Sequence, residues 1–352
     1  MNEVSEEQYL GDIISSDGKN SKNIKNRISK GVGLISQIMN ILETASFGPF
    51  YFEIAMLLRE AILVNGVTTN TEVWHNISES EIAEFENLDK LFFQRLLSVP
   101  KSTPTESFFL ELGAIPMGII IKSRRVKYLH SILNRSPSSM LYKFFVTQCN
   151  FPCKGDWSEI VRRDLEDLEI QESFEQIKNK SRGVFKNLVK KKTREFALRR
   201  LQNSQSKHSK MNNLQYENIE IQDYFLRKDI NNEQKKLIFK FRTRMANFGE
   251  NFKGGRSQVN CPLCKTHPDK QELSYICPFI NSKMEVEGDM NEIYGNNINK
   301  NTVETIEKIT NLRIEILENN VTLPLQAQVP QGVQETGKLC AAQDIVCLEN
   351  LD

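Results

Sequence analysis

The chain contains no Asp-Asp dipeptide. Phosphoryl transfer assisted by two metal ions needs clustered carboxylates that hold both ions against the attacking and leaving oxygens, and that chemistry has no evident seat here. Walker A and GxGxxG patterns are also missing, which removes the common phosphate-cradling loops. The four histidines, His75, His130, His208 and His267, are scattered far apart, so Ser-His-Asp and Cys-His arrangements have no support. No catalytic residue is identified.

Long hydrophobic runs are scarce. The most apolar stretch, 50–64, carries Glu53, Arg59 and Glu60 and is too short to cross a bilayer. The start, MNEVSEEQYLGD, is acidic and lacks the basic entry and apolar core of a signal peptide. Seven cysteines, an odd number and mostly unclustered, do not make a disulfide framework and point to a reducing compartment. An intracellular protein, nuclear or cytoplasmic and without a membrane partner, is expected. Net charge is nearly absent too, at +1 over 352 residues, but the average hides segregation.

What is present is mainly helical patterning over two or three domains' worth of chain. An extended stretch from Tyr9, YLGDII, meets the turn signal Asp17-Gly18, and Ser21 is expected to cap a helix with Ile24, Ile28, Ile35, Met39 and Leu42 on its apolar side. Its start is basic, with Lys22, Lys25, Arg27 and Lys30. Residues 50–64 read as a helix buried between others. Ser78 or Ser80 can cap the next, in which Ile82, Phe85, Leu88, Phe92, Leu96 and Val99 share a face. A further helix mixes Ile119, Val126, Leu129 and Leu133 with Lys122, Arg124, Arg125 and Lys127.

The charges then reverse abruptly. Residues 155–175 hold eight acidic residues against Arg162 and Arg163, a net of −6, whereas 176–210 hold twelve Lys and Arg against Glu195 alone, a net of +11. A solvated face usually mixes signs, so the basic segment is read as a nucleic-acid contact, with Lys190, Lys191, Lys192, Arg199 and Arg200 foremost. The competing reading is that the acidic stretch neutralises it internally. Trp74 and Trp157 are expected to pack rather than stack on bases, and Cys149 and Cys153 to be thiols without a metal role. Basic helical patterning returns at LIFKFRTRM (237–245), and 321–352 lose periodicity and are expected to be a disordered tail.

CPLCKTHPDKQELSYIC, 261–277, opens like a zinc knuckle. Cys261, Cys264 and Cys277 are three candidate ligands, and His267 is the nearby histidine. A closed structural zinc site needs four donors. The alternatives are a zinc site completed by His267 and a decayed site with free thiols.

In order, these segments resemble the region downstream of the catalytic palm in reverse transcriptases of non-LTR, LINE-type retrotransposons. The matching stretches are 9–42, 69–133, KGDW at 154–157, 237–245 and the knuckle. The resemblance implies the end of the reverse-transcriptase domain at 1–48, a helical thumb-like region at 49–150, an acidic then basic helical region at 151–256, a degenerate knuckle at 257–281, a helix at 282–320 and the tail.

It further implies that Lys22, Lys25, Arg27, Lys30, Lys122, Arg124 and Arg125 grip the backbone of RNA or DNA. In that family a histidine precedes the last knuckle cysteine by four, where this chain has Leu273. The family's catalytic Asp-Asp motif lies upstream of the Tyr-Leu-Gly block and is not found here. The expected function is therefore a truncated, non-catalytic nucleic-acid-binding portion of an RNA-directed DNA polymerase. Magnesium enters only if an upstream palm segment is joined to it. A helical scaffold or decayed remnant is the alternative.

Overall fold

The structure is a computed structural model that describes residues 5–9, 12–75, 77–251, 260–295 and 297–321. The tail expected to be disordered lies outside them from residue 322 onward.

β1 (Glu6–Tyr9) and β2 (Asp12–Ser15) form an antiparallel hairpin with Glu6 opposite Ser15 and Tyr9 opposite Asp12. The extended stretch expected at 9–14 thus spans both strands. Asp17 Oδ1 accepts the Lys19 N–H at 2.9 Å in the turn into α1 (Ser21–Thr44). Ser21 is not the cap expected of it. Asn20 holds that position, and the Ser21 hydroxyl donates to Glu81 Oε1 at 2.7 Å.

α2 (Tyr51–Leu58) runs through a π-turn (Arg59–Val64) into the short α3 (Asn65–Thr68). The π-turn carries the wholly buried Arg59, which donates from Nε and Nη2 to Asp89 Oδ1 at 2.9 and 2.7 Å. Asp89 lies on α4 (Glu79–Leu97), which starts at a capping box formed by Ser78 and Glu81. The other Asp89 oxygen accepts the Met117 N–H at 2.9 Å, so one buried pair joins α2, α4 and the next long helix.

α5 (Thr105–Leu112), α6 (Met117–Leu133), α7 (Met140–Asn150), α8 (Trp157–Asp167), α9 (Phe174–Asn179) and α10 (Arg182–Gln205) follow. Gly113 ends α5 at φ +67°, and a Cβ there would lie 2.4 Å from the Ile221 nitrogen. Only glycine lets the segment near Ile221 approach this closely. Behind it Glu111, fully buried, accepts from Arg242 Nε at 2.8 Å and from the Tyr224 hydroxyl at 2.8 Å. This ties α5 to α11 (Asp223–Leu226) and α12 (Asn232–Arg242). α13 (Pro278–Lys283) and α14 (Lys300–Val321) are the last helices among the described residues.

The boundary expected at residue 150 separates no two cores. The main core draws on Ile24, Phe92 and Ile119 but also on Ala197, Phe239 and Ile306. A second core joins the far half of α6 (Val126, Leu129) to Trp157, Val161, Phe185 and Val189. Both α6 and α10 run through the two cores, which places their exposed faces side by side. A third, small core surrounds the cysteines with Leu263, Ile280 and Ile309. No helix among the described residues is long and apolar enough to cross a membrane.

Candidate metal centre and basic surface

The knuckle is built by short-range turns. The Cys261 N–H donates to the His267 carbonyl at 2.7 Å, and the Lys265 N–H returns to the Cys261 carbonyl at 2.8 Å, with Lys265 at φ +58°. Asn260 and Pro268 bridge its neck, and the chain comes back through a 3-10 turn (Glu272–Ile276) that delivers Cys277. The result gathers three sulfurs, those of Cys261, Cys264 and Cys277, all within 4.8 Å of one another, in a group that could hold a metal ion. Cys261 and Cys277 are 4.0 Å apart. Tetrahedral ligation at Zn–S distances of ~2.3 Å places sulfurs ~3.8 Å apart, so the spacing suits such an ion.

His267 does not join them. Its main-chain carbonyl shapes the turn, while its ring is not part of the cysteine group. Leu273 lies half-buried on the 3-10 turn. Arg313 of α14 supplies what the sequence reading missed. Its Nη1 lies 3.9 Å from Cys261 Sγ, and its Nη2 lies 2.9 Å from Asp269 Oδ1. A guanidinium held beside Cys261 Sγ offsets the negative charge that thiolate ligands bring. Burial pushes the Cys264 thiol up, but hydrogen bonds from the Thr266 side chain and the His267 and Thr266 backbone outweigh it and bring the pKa down to about 6. Burial raises Cys277 to about 11.

The expected nucleic-acid contacts divide into three groups. Arg27 and Arg125 are buried and cannot reach a surface phosphate. Arg27 pairs with Asp12 beneath Trp74, 5.6 Å from its ring centroid, and Arg125 Nε donates to Asp164 Oδ2 at 2.6 Å.

A second group is at least partly exposed but paired or hydrogen-bonded. Lys22 pairs with Glu6, and Lys122 lies 2.6 Å from Asp167. Lys191 and Lys192 pair with Glu195 at 3.9 and 3.1 Å. Arg199 pairs with Glu169 at 3.0 Å, and Arg200 binds both oxygens of Glu86 at 2.7 and 2.9 Å. Arg124 donates to the Thr68 carbonyl at 3.0 Å and Asn65 Oδ1 at 2.7 Å. Exposed pairs of this kind hold by ~0–1 kcal/mol.

The third group, Lys25, Lys30 and Lys190, is exposed with no ion pair among the described residues.

Lys190 has company that the sequence reading did not single out. Arg182, Lys186, Lys190 and Arg194 recur every four residues along α10, all exposed and without an ion pair among the described residues. Four residues rise ~6 Å and turn ~40° past a full circle, so these cations form one slanted stripe. Beside its start, Arg124 and Lys127 of α6 join Arg182, Lys186 and Glu72 around a cleft of 210 Å³. Burial, with the charges of Arg124, Lys186 and Lys190, holds Lys127 below the ordinary lysine value.

Both tryptophans pack, as expected. Trp74 is buried, and Trp157 donates from Nε1 to the Glu72 carbonyl at 2.7 Å. Cys149 and Cys153 are free thiols. Compared with family models, curated proteins and solved structures, the chain matches none.

Proposed function

We propose that this protein binds the sugar–phosphate backbone of RNA or DNA through the outer face of α10, without catalysing a reaction on it. The observation that carries this reading is the stripe Arg182, Lys186, Lys190 and Arg194, unpaired among the described residues. Like charges four apart on a helix destabilise it by ~0.2–0.5 kcal/mol per pair. A polyanion laid along the helix turns that repulsion into attraction and releases condensed counterions. Backbone contacts of this kind position a nucleic acid without reading its sequence.

The order of segments supports a second level of the same proposal. The chain would correspond to the helical region that follows the palm in LINE-type reverse transcriptases, working inside the cell. The three cysteines would hold zinc as a staple for the third core. Zinc would be bound as a thiolate complex, and its structural role would need a fourth donor to close the site.

The scaffold reading has its own observation. Glu169 pairs with Lys192 and Arg199, and Glu172 with Lys180, so the acidic segment neutralises part of the basic one. It leaves the four-residue stripe untouched.

Thermal unfolding separates the two. A ligand that binds only the folded state stabilises it by ~2.7 kcal/mol at a hundredfold excess over Kd. At low salt, excess single-stranded 20-mer raises the unfolding temperature on the binding reading. An unchanged transition would leave the scaffold.

A further inference from the structure

The cleft between α6 and α10 holds three cations and one carboxylate oxygen that have no hydrogen bond among the described residues. Of its cations, Lys127, Arg182 and Lys186 have neither a hydrogen bond nor an ion pair among the described residues. Arg124 spends its donors on Thr68 and Asn65, and its charge already acts on Glu72 across the cleft, without a hydrogen bond between them. Against them stands one carboxylate. Glu72 comes from a 3-10 turn (Thr71–Val73), and its Oε2 is buried with no hydrogen-bond partner among the described residues.

This combination restricts the ligand. A simple anion would satisfy the cations but be repelled by Glu72, and a simple cation would meet four like charges. A buried acceptor left unsatisfied is costly, so the complementary ligand offers an anionic group together with a nearby hydrogen-bond donor. A ribonucleotide unit has both, because its 2′-hydroxyl can donate close to its phosphate. The deoxyribose–phosphate backbone of DNA has the phosphate without that donor. The 2′-hydroxyl is the group by which a protein tells the two polymers apart.

We propose that this cleft seats one phosphate–ribose unit of RNA, with the phosphate among Arg124, Lys127, Arg182 and Lys186 and the 2′-hydroxyl donating to the Glu72 carboxylate. This rests on the nucleic-acid reading above and adds to it a preference for RNA over DNA. Lys127, held at reduced pKa by burial and then by its neighbours' charges, gains a counter-charge when the phosphate arrives.

The test uses the full chain and fluorescence anisotropy with three labelled 12-mers of one sequence: RNA, 2′-O-methyl RNA and DNA. The methyl ether keeps the ribose oxygen but has no proton to donate. RNA is expected to bind about tenfold more tightly than either of the others, the fold-change supplied by one hydrogen bond to a charged acceptor.

Glu72→Ala is expected to reduce that preference to less than about twofold while leaving DNA binding unchanged or tighter, because a negative charge has gone. Glu72→Gln keeps an acceptor oxygen and is expected to retain part of the preference. The main-chain carbonyl that holds Trp157 survives both substitutions, and matching unfolding temperatures confirm intact folds.

Equal affinity for RNA and DNA, 2′-O-methyl RNA binding as well as RNA, or a preference surviving in Glu72→Ala would each overturn the ribose contact and leave backbone binding standing. Absence of binding to all three would overturn both proposals.

Discussion

Arg125 of α6 meets Asp164 of α8 through two hydrogen bonds, Nε to Oδ2 at 2.6 Å and Nη2 to Oδ1 at 3.2 Å, with both side chains buried. A cation that sequence places on a basic helix face is therefore a strut between two helices of the second core. Removing Arg125 leaves Asp164 with only the more distant Lys122, at 3.8 Å, and breaking a buried pair typically costs ~3–5 kcal/mol. Arg125→Ala is expected to lower the urea midpoint sharply, and the double variant Arg125→Met with Asp164→Leu to recover much of it. Urea unfolding followed by circular dichroism checks this. A single variant as stable as the parent would show that the pair contributes little.

The cysteine cluster predicts bound metal. Protein purified without chelator is expected to carry about one equivalent of zinc by elemental analysis, and Cys264→Ser or Cys277→Ser to carry much less. Stripping the metal should lower the unfolding temperature, because a structural ion contributes its binding energy to folding. Less than about half an equivalent in the parent protein would count against zinc.

Acid sensitivity is expected at the hairpin. Partial burial pushes the Asp12 carboxyl up, but hydrogen bonds from Arg27, Asn70 and Asn23 and the Arg27 charge outweigh it and hold its pKa below the ordinary 3.8. A carboxyl depressed by folding contributes stability above its unfolded pKa and loses it as pH falls through the folded one. Stability at the β2–α1 junction is therefore expected to be flat above pH ~5 and to fall below pH ~4. Asp12→Asn should flatten the acid limb of stability against pH while lowering stability at neutral pH. A limb unchanged in that variant would assign the acid loss elsewhere.

Sequence carried the local part of this structure well. Ile82, Phe85, Leu88, Phe92 and Leu96 are buried on α4 as their spacing requires, and Ser78 caps it, because periodicity and capping act over a few residues. Pairings across tens of residues were not legible. Asp89 and Arg59 are 30 residues apart, and nothing near Arg125 announces Asp164.

The basic surface was seen at the wrong grain. Lys190, Lys191 and Lys192 are adjacent in sequence, yet successive residues on a helix turn ~100° from one another, so they fan apart. The four-residue recurrence of Arg182, Lys186, Lys190 and Arg194 was readable, and it turns each cation only ~40° from the last, so neighbours in the row stay close. Of the knuckle, the cysteines were legible from spacing. Arg313 was not, since it arrives from α14 through the third core.

The central claim is that the α10 stripe binds nucleic-acid backbone, and its most direct test is affinity for a single-stranded RNA 20-mer as a function of salt. With four cations neutralising phosphates, the account predicts a slope of log K against log salt of about −3, at ~0.7 per phosphate for single strands. The Lys186→Ala, Lys190→Ala double variant should weaken binding and reduce the slope's magnitude by about 1.4. No binding at low salt, or a double variant with the parent's slope, would contradict it.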